Sequence, residues 1–346
     1  SSDVGTVKLE FDLSQFSLSG AEDLELIVSK NSNLTNYKNY VGTYNASSKV
    51  VTFTGVDLDD AEYFTLAKLQ ELNDDYHFGF NGTSKYVDLG DRFDLIGNFT
   101  ISAWIKRDNY NDRSIFSKRN SANTQGYDFR INSSGRLEMY WYNGVKQSVV
   151  SDTHIPAGKW HHVAATYNGT DAKIYVDGIE VANDSPIGAP VNGTEKFMIG
   201  GMYDSDAPCT TATKYFDGFI DEVRLWNVAL SPAQLREMMN QEIQNNTAVR
   251  GVTVPLDING LNWVDLDGYY KMDIACGSLI PYAGTVKGQL RNMDSSQQET
   301  APIPYTSRID GQDWTTDNTW THFNVWDTPN SIGAHRCLPR EFDILP

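Results

Sequence analysis

The sequence predicts an all-β protein built from antiparallel β-sandwiches, with one short helix. Apolar and polar residues alternate with period two in many short segments, and clusters of Gly, Asn, Asp and Ser separate these segments at regular spacing. One segment alone has clear signals for a helix start. The length of 346 residues corresponds to two or three domains of ordinary size, and 40% hydrophobic residues suffice for real cores.

The first predicted domain covers residues 1–70. Its period-two segments include VKLEFDLSQF, LELIVSK, KVVTFTGVDL and EYFTLAKLQ, each bounded by turn residues. They indicate half-buried antiparallel strands in a small β-sandwich module that looks truncated. The polar stretch QELNDDYH separates this module from the central segment.

The second predicted domain covers residues 76–243, where short strands succeed one another at the spacing of a larger sandwich. It closes with a helix, because Ser231 is a good N-cap and Pro232 suits the first helical position. The apolar spacing of Leu235, Met238 and Met239 predicts one buried stripe on this helix.

Two further segments complete the predicted organisation. Residues 252–306 look strand-like but too short for another complete sandwich, so we predict a β-rich linking module. Residues 307–346 are interpreted as the start of a β module containing Trp314, Trp320 and Trp326 at an interval of six. Such spacing fits either core positions of a short β-repeat or a stacking ladder for sugars.

Composition excludes some classes of partner. There are 45 Asp and Glu against 28 Lys and Arg, a formal net charge of −17, which repels nucleic acid and anionic lipid surfaces. No stretch predicts a membrane-spanning helix, and the segment reads like a piece of a longer chain. The three cysteines do not have the spacing of a zinc site: Cys209, Cys276 and Cys337. One disulfide bond is compatible with the sequence, which does not determine the pairing, and we favour Cys276 with Cys337.

The central segment resembles the laminin-G-like, pentraxin-like jelly roll of the concanavalin A-like lectin/glucanase superfamily. The phrases that carry the resemblance are FNGTSKYVDL, FTISAWIK, WHHVAATYNG, IYVDGIEVA and GFIDEVRLWNVALSPAQL, in the family's order over about 165 residues. The resemblance implies two curved antiparallel sheets, a mostly non-enzymatic repertoire and frequent Ca²⁺ binding. The flanking segments resemble modules of large adhesins that gliding Gram-negative bacteria secrete by the type IX route, which implies a cell-surface protein.

No catalytic apparatus is visible in the sequence. Related glucanases carry an E-x-D-x-x-E strand, because retaining glycosidases need two carboxylates on one face, and this pattern is absent. Asp221 and Glu222 are adjacent on a predicted strand and should point to opposite faces. His161 and His162 are adjacent too, so they cannot chelate one ion together and are interpreted as packing residues. We therefore predict that the chain is not an enzyme.

The sequence favours calcium binding over catalysis, because this cation takes carboxylate, amide and backbone oxygens as ligands. The resemblance implies a site that bridges an early strand to the last one, formed by Asp221, Asn81 and the backbone carbonyl of Gly97; Asp221 could equally cap a turn. An alternative site on the rim combines acidic and amide side chains of two loops: Asp108, Asn111, Asp112, Asp204 and Asp206. Solvated loop acids are the other interpretation of that group.

A sugar-binding face is predicted from alternation in GRLEMYWY. If Leu137, Met139 and Trp141 enter the core, then Glu138, Tyr140 and Tyr142 line the open face, and Arg130 on the neighbouring strand joins them. We therefore expect a non-catalytic extracellular adhesin segment that binds a surface glycan or protein with Ca²⁺. A structural bead of a surface filament, contacting neighbouring modules, and an accessory domain of a carbohydrate-active enzyme are the alternatives.

Overall fold

The computed structural model describes residues 5–14, 24–32, 37–68, 78–108, 111–119, 122, 124–191, 193–203, 212–272, 278–279, 281–293 and 301–304. Within these residues strands dominate and one α-helix is present, so the all-β prediction is confirmed. No helix among them is long and apolar enough to cross a membrane. Asp204, Asp206, the three cysteines and residues 307–346, which include the three evenly spaced tryptophans, lie outside the described residues.

The amino-terminal strands form two small antiparallel sheets around one core. The strands are β1 (Val7–Asp12), β2 (Leu24–Ser29), β3 (Tyr37–Val41), β4 (Thr43–Asn45), β5 (Val50–Val56) and β6 (Tyr63–Lys68). One sheet has the order β1-β5-β4 and the other β3-β2-β6. Leu26, Val28 and Phe53 are fully buried in the shared core, but β2 is buried on both faces, Glu25 included, rather than half-buried as predicted.

The central segment supplies most strands of a large sandwich. They are β7 (Phe78–Asn81), β8 (Tyr86–Asp88), β9 (Phe99–Arg107), β10 (Arg113–Arg119), β11 (Gly126–Ile131), β12 (Arg136–Tyr142), β13 (Lys146–His154), β14 (Trp160–Tyr167), β15 (Ala172–Val176), β16 (Ile179–Asp184), β17 (Met198–Ile199), β18 (Met202–Tyr203), β19 (Ala212–Thr213) and β20 (Asp217–Trp226).

The helix α1 (Pro232–Met239) begins as the sequence predicts. Ser231 Oγ accepts a hydrogen bond from the Gln234 backbone N at 3.2 Å, and the Gln234 side chain accepts one from the Ser231 N at 2.8 Å. Leu235, Met238 and Met239 form the buried stripe. After the helix come β21 (Ile243–Asn246), β22 (Ala248–Gly251), β23 (Asp257–Asn262), β24 (Leu266–Tyr270), β25 (Ser278–Leu279) and β26 (Gly288–Arg291).

Two sheets face each other across the main core. The front sheet has eight strands in the order β13-β12-β11-β10-β17-β8-β26-β25. The back sheet has the order β16-β15-β14-β9-β20-β24, with β7 also paired to β20. Side chains from both inner faces, among them Ile101, Phe116, Phe129, Trp141 and Ile220, are fully buried between the sheets.

The prediction that residues 252–306 form a separate linking module is wrong for much of that segment. Strand β24 pairs with β20 of the back sheet, and β26 pairs with β8 of the front sheet. A strand edge exposes unpaired N–H and C=O groups, and these late strands satisfy the edges that the central segment leaves open. The sandwich is therefore completed by strands that come after the helix.

The outer faces of the two sheets differ. Helix α1 and the sheet β21-β22-β23 pack on the back sheet through Trp226, Leu235 and Ile258, and residues 301–304 pack over Trp104 and Trp160. All eight residues of β14 are consequently buried. On the front sheet, β18 and β19 pack over Met198 and Asp88, and no described helix or sheet packs on the outer side of β11, β12 and β13.

Candidate ligand-binding face

The strand register lines up one row of side chains across the outer face of the front sheet. Leu137, Met139 and Trp141 of β12 are buried in the main core, so Glu138 and Tyr140 point outward, as predicted. Directly paired positions then continue across neighbouring strands in the order Ser148, Tyr140, Asp128, Ser117, Met198 and Asp88.

The predicted sugar-binding residues are brought together, and a lysine joins them. Arg130 donates to Glu138 Oε2 through Nε at 3.1 Å and Nη2 at 2.8 Å. Lys146 Nζ donates to the other Glu138 oxygen at 2.9 Å. The Arg130 guanidinium and the Lys146 ammonium lie 4.8 and 4.6 Å from the centre of the Tyr140 ring. We call Arg130, Glu138, Tyr140, Tyr142 and Lys146 the front cluster.

Access to these groups is uneven. The Glu138 side chain is 7% exposed and Tyr140 is 4% exposed, so both are covered by their partners. The Arg130 and Lys146 side chains are 21% and 45% exposed, and Tyr142 is half-buried with its ring 5.9 Å from that of Tyr140. A ligand on this face would therefore meet two held cations and one aromatic ring.

A buried carboxyl group supports the cluster from below. Asp128 is fully buried and its Oδ2 accepts a hydrogen bond from the Tyr140 hydroxyl at 3.1 Å. Burial raises the pKa of Asp128 to about 6, with Arg130 and Arg119 acting in the opposite direction. Burial and the neighbouring Asp128 also raise the pKa of Tyr140, which stays a neutral hydrogen-bond donor. Tyr140 is thus held by Asp128 at its hydroxyl group and by Arg130 and Lys146 at its ring.

A second group of aromatic and charged residues lies on the same face around Asp88, and no sequence pattern indicated it. The Tyr203 hydroxyl and Lys196 Nζ donate to Asp88 Oδ2 at 2.9 and 3.1 Å. The Tyr86 ring centre lies 5.9 Å from those of both Tyr203 and Tyr215. Asp88 is four strands from Tyr140 on the same row, which corresponds to about 19 Å. These residues are distant in sequence, so only the sheet order unites them.

The first predicted Ca²⁺ set is not assembled. Asn81 pairs with Asp217, four residues before Asp221 on β20, a separation of about 13 Å. Gly97 lies three residues before Thr100 of β9, and Thr100 pairs with Trp226, which follows Asp221 on β20. Gly97 and Asn81 are therefore on opposite sides of Asp221. Asp221 Oδ1 accepts from the Glu222 N at 2.8 Å and Oδ2 from the Ala301 N at 2.9 Å, while Asn81 Oδ1 accepts from three backbone N–H groups. Asp221 therefore has the capping role.

The described part of the rim set is also engaged in protein contacts. Asp112 pairs through one oxygen with Lys214 and through the other with Arg130 at 3.4 Å, and Asn111 Oδ1 accepts from Arg107 Nη1 at 2.9 Å. Asp108 is exposed. Within the described part of the chain, no three acidic, His or Cys side chains converge as metal ligands.

Asp108 and Asp217 are neighbours at the ends of β9 and β20. The Asp108 N donates to the Asp217 carbonyl O at 2.9 Å. Partial burial, and then the negative charge of Asp108, raise the pKa of Asp217.

The expectation that Asp221 and Glu222 face opposite ways is wrong. A β-bulge shifts the register between Asp221 and Arg224, and Glu222 has φ of 51°. Ile220 before the two acids and Val223 after them both point into the main core, so Asp221 and Glu222 share the outer face. Glu222 Oε2 accepts from the Tyr269 hydroxyl at 2.6 Å and pairs with Arg224. Arg224 in turn donates to the Met238 and Gln241 carbonyls at 2.7 Å each. These acids anchor the covering layer.

The two histidines of β14 are packing residues, as expected. His161 Nδ1 lies 2.8 Å from Asp177 Oδ2. Burial lowers the pKa of His162 to about 3, with a smaller contribution from the Arg224 charge, so its ring is neutral against Trp104.

Comparison with known proteins matches the central segment to concanavalin A-like domains. Residues 81–236 match the Laminin_G_3 family model, described as concanavalin A-like lectin/glucanases superfamily. C-reactive protein 1.4 of Limulus polyphemus is 26% identical over 152 residues, which cover 40% of this chain and 60% of that protein. The rat (Rattus norvegicus) sushi, von Willebrand factor type A, EGF and pentraxin domain-containing protein 1 is 25% identical over 214 residues, 58% of this chain and 6% of that protein. The chain thus spans less than two thirds of either relative.

Solved structures are similar to this chain only at low identity. A carbohydrate-binding protein candidate from Bacteroides ovatus has 18% identity and a TM-score of 0.44, covering 87% of this chain and 95% of that chain. The heptameric SAP-like pentraxin of Limulus polyphemus has 18% identity and a TM-score of 0.39, covering 62% and 95%. On the strength of the family match and the sheet order, the central sandwich is similar to concanavalin A-like, laminin-G-like jelly rolls.

Proposed function

We propose that this protein is a non-catalytic glycan-binding module and that the front cluster is its binding face. One observation carries the proposal: Arg130 and Lys146 are both held on Glu138 beside the rings of Tyr140 and Tyr142, on the part of the front sheet, β11 to β13, that no described helix or sheet covers. Sugars need fixed polar groups at the ring edge and an aromatic surface for the ring face. The lectin-type family match of residues 81–236 supports the same interpretation.

Preorganisation is the physical advantage of this arrangement. A flexible Lys or Arg that must be ordered on binding loses about 0.5–1.5 kcal/mol of side-chain entropy. Here both cations already point across the Tyr140 ring and share one carboxylate, so a ligand hydroxyl or carboxylate meets them without that loss. We place this binding outside the cell, as the resemblance to lectin-like surface proteins suggests, with a surface glycan as partner.

A glycan array with the 346-residue chain tests the proposal, followed by titration of the best binder. We expect Tyr142→Ala and Lys146→Ala to weaken binding about tenfold or more, equivalent to about 1.4 kcal/mol. Lys173→Ala is the matched control, because Lys173 pairs with Glu180 at 2.8 Å on the back sheet. It should leave affinity within about twofold. A blank array, or equal losses from Lys146→Ala and Lys173→Ala, would rule out this face.

Calcium belongs to the proposal as a stabilising ion rather than a ligand-binding group. Asp108 and Asp217 would hold it: burial, and then the negative charge of Asp108, raise the pKa of Asp217, and a cation would offset the part that comes from Asp108. We expect CaCl₂ to raise the thermal unfolding temperature over EDTA in the wild type and in Asp221→Asn, and to have no such effect in Asp217→Asn. A calcium effect that persists in Asp217→Asn, or one absent from the wild type, contradicts this placement.

A further inference from the structure

The residues around Asp88 repeat the arrangement of the front cluster on the same face of the same sheet. In the front cluster one buried carboxylate holds two cations beside tyrosine rings. Asp88 is buried too, and its Oδ2 lies 3.1 Å from Lys196 Nζ and 3.8 Å from Arg291 Nη2. Three tyrosine rings adjoin it. We name the following residues the Asp88 group: Tyr86, Asp88, Lys196, Tyr203, Tyr215 and Arg291.

Strand pairing sets the facing of this group. Tyr86 and Asp88 of β8 flank Val87, which is buried in the main core, so both point outward. Arg291 of β26 pairs with Tyr86, and its neighbour Leu290 packs on the main core, so Arg291 points outward as well. The group is thus assembled on the outer face by strands that lie far apart in the sequence.

The cations and two of the rings remain accessible. The Lys196 and Arg291 side chains are 33% and 26% exposed, and Tyr86 and Tyr215 are half-buried. Among the described residues, the ammonium donates only to the central carboxylate, and the guanidinium donates only to Gln289. An ammonium has three donor hydrogens and a guanidinium has five, so most of them are left for a ligand or for water.

The group also carries a surplus positive charge. Lys196 and Arg291 bring two positive charges against the single carboxylate of Asp88, which leaves 2 − 1 = +1 in a chain of net charge −17. On the back sheet, by contrast, Arg224 and Glu222 balance one to one, and the guanidinium is engaged by backbone carbonyls. A pair that only holds the fold together needs no second, partly exposed cation. The surplus therefore favours a ligand whose oxygens accept hydrogen bonds.

We propose that the Asp88 group is a second glycan-binding site, which takes its own sugar unit. Hydroxyl or carboxylate oxygens of the sugar accept from Lys196 and Arg291, and the apolar face of the pyranose packs on Tyr86 or Tyr215. The positive charge disfavours an organic cation, and a purely apolar ligand leaves the donors unused. The site is about 19 Å from the front cluster, too far for one sugar ring to contact both, and it does not depend on that cluster.

Fluorine NMR of the 346-residue chain labelled with 3-fluorotyrosine tests the two sites separately. The resonances of Tyr86 and Tyr142 are identified by their loss in Tyr86→Phe and Tyr142→Phe, and a panel of neutral and uronic methyl pyranosides is titrated. We expect at least one sugar to shift the Tyr86 resonance saturably. Lys196→Ala should weaken that response about tenfold, equivalent to about 1.4 kcal/mol, and should leave any Tyr142 response within about twofold.

Matched variants separate loss of the site from general damage. Lys173→Ala is the control, because Lys173 is 29% exposed and pairs with a carboxylate on the back sheet, and it should leave the Tyr86 response within about twofold. Arg291→Gln should weaken the response as Lys196→Ala does, so a folding defect in one of these variants leaves the other as the test.

The outcomes distinguish this site from the front cluster. A Tyr86 resonance that no sugar shifts overturns the second site, and the Tyr142 resonance then reports on the front cluster alone. A Tyr86 shift without a Tyr142 shift supports the second site and contradicts the front cluster. Acetate or chloride that shifts Tyr86 as strongly as the best sugar overturns the proposal in favour of a small-anion site. Loss of the Tyr86 response in Lys146→Ala also overturns it, because the sugar then belongs to the front cluster.

Discussion

The two outer faces of the sandwich bury charged residues in opposite ways. On the back sheet, helix α1 and the Tyr269 side chain of the neighbouring strand β24 cover Arg224 and Glu222, and the guanidinium donates to the Met238 and Gln241 carbonyls of the covering layer. On the front sheet, Arg130 and Glu138 are covered by neighbouring side chains of the same face. The first arrangement joins parts of the fold, and the second leaves a surface that a ligand can reach.

A buried ion pair in a sandwich therefore does not by itself mark a functional site. The groups that contact the ion pair distinguish a structural pair from a candidate binding site. On the back sheet they are carbonyls at the helix terminus, and on the front sheet they are aromatic rings and partly exposed cations. Variants of matched residues on the two faces test whether this contrast holds.

The largest expected effect comes from removing one arginine on each face. Arg224→Ala leaves Glu222 buried without its ion-pair partner, and we expect a loss of about 3–5 kcal/mol in the free energy of unfolding. Arg130→Ala, on the open face, should cost about 1 kcal/mol, because water and Lys146 replace it. Urea unfolding followed by circular dichroism measures both. Similar losses for the two variants would show that the faces are energetically alike.

The pH dependence of stability should have opposite signs on the two faces. The raised pKa of Asp128, about 6 against 3.8, means that its protonated form stabilises the fold below pH 3.8, and this contribution is lost as the pH rises through 6. The lowered pKa of His162, about 3 against 6.5, means that its contribution is present above pH 6.5 and is lost as the pH falls toward 3.

Asp128→Asn and His162→Gln measure these contributions separately. Between pH 4 and 7, wild type should lose on the order of 2–3 kcal/mol relative to Asp128→Asn as the pH rises. Between pH 7 and 4, it should lose stability relative to His162→Gln as the pH falls. Urea midpoints at several pH values give both differences, and curves that run parallel to wild type would contradict the assigned directions.

A smaller effect is expected where residues 301–304 cover the back sheet. Asp221→Ala removes the acceptor of the Glu222 and Ala301 N–H groups, and we expect a loss of about 1–3 kcal/mol with faster hydrogen exchange at Ala301. Asp257→Ala, which removes an exposed ion pair with Arg250, is the control and should cost less than about 1 kcal/mol. Unchanged exchange at Ala301 would mean that Asp221 does not hold this segment.

Local pattern was sufficient for several parts of the molecule. Alternation in β12 correctly predicted that Trp141 enters the core and Tyr140 faces outward, and the Ser231 N-cap correctly predicted the start of α1. The same alternation failed at Asp221 and Glu222, because a bulge adds one residue and changes the facing of its neighbour.

Lys146 was missed as part of the front cluster. It stands directly opposite Tyr142 in the β12–β13 hairpin, so the signal that could have found it is the register of that hairpin. Alternation within β12 alone does not contain this information, because it fixes the facing of each residue but not its partner on the next strand.

Periods of two or 3.6 residues along the chain were enough to predict the all-β class, the facing of regular strands, the helix start and the candidate residues Arg130, Glu138, Tyr140 and Tyr142. The tertiary structure was needed to find that β24 and β26 complete the two sheets, that Asp221 caps Ala301, and that Asp88 lies on the same row as Tyr140. These features rest on hydrogen bonds between strands far apart in sequence, and no local period encodes which strand edges meet.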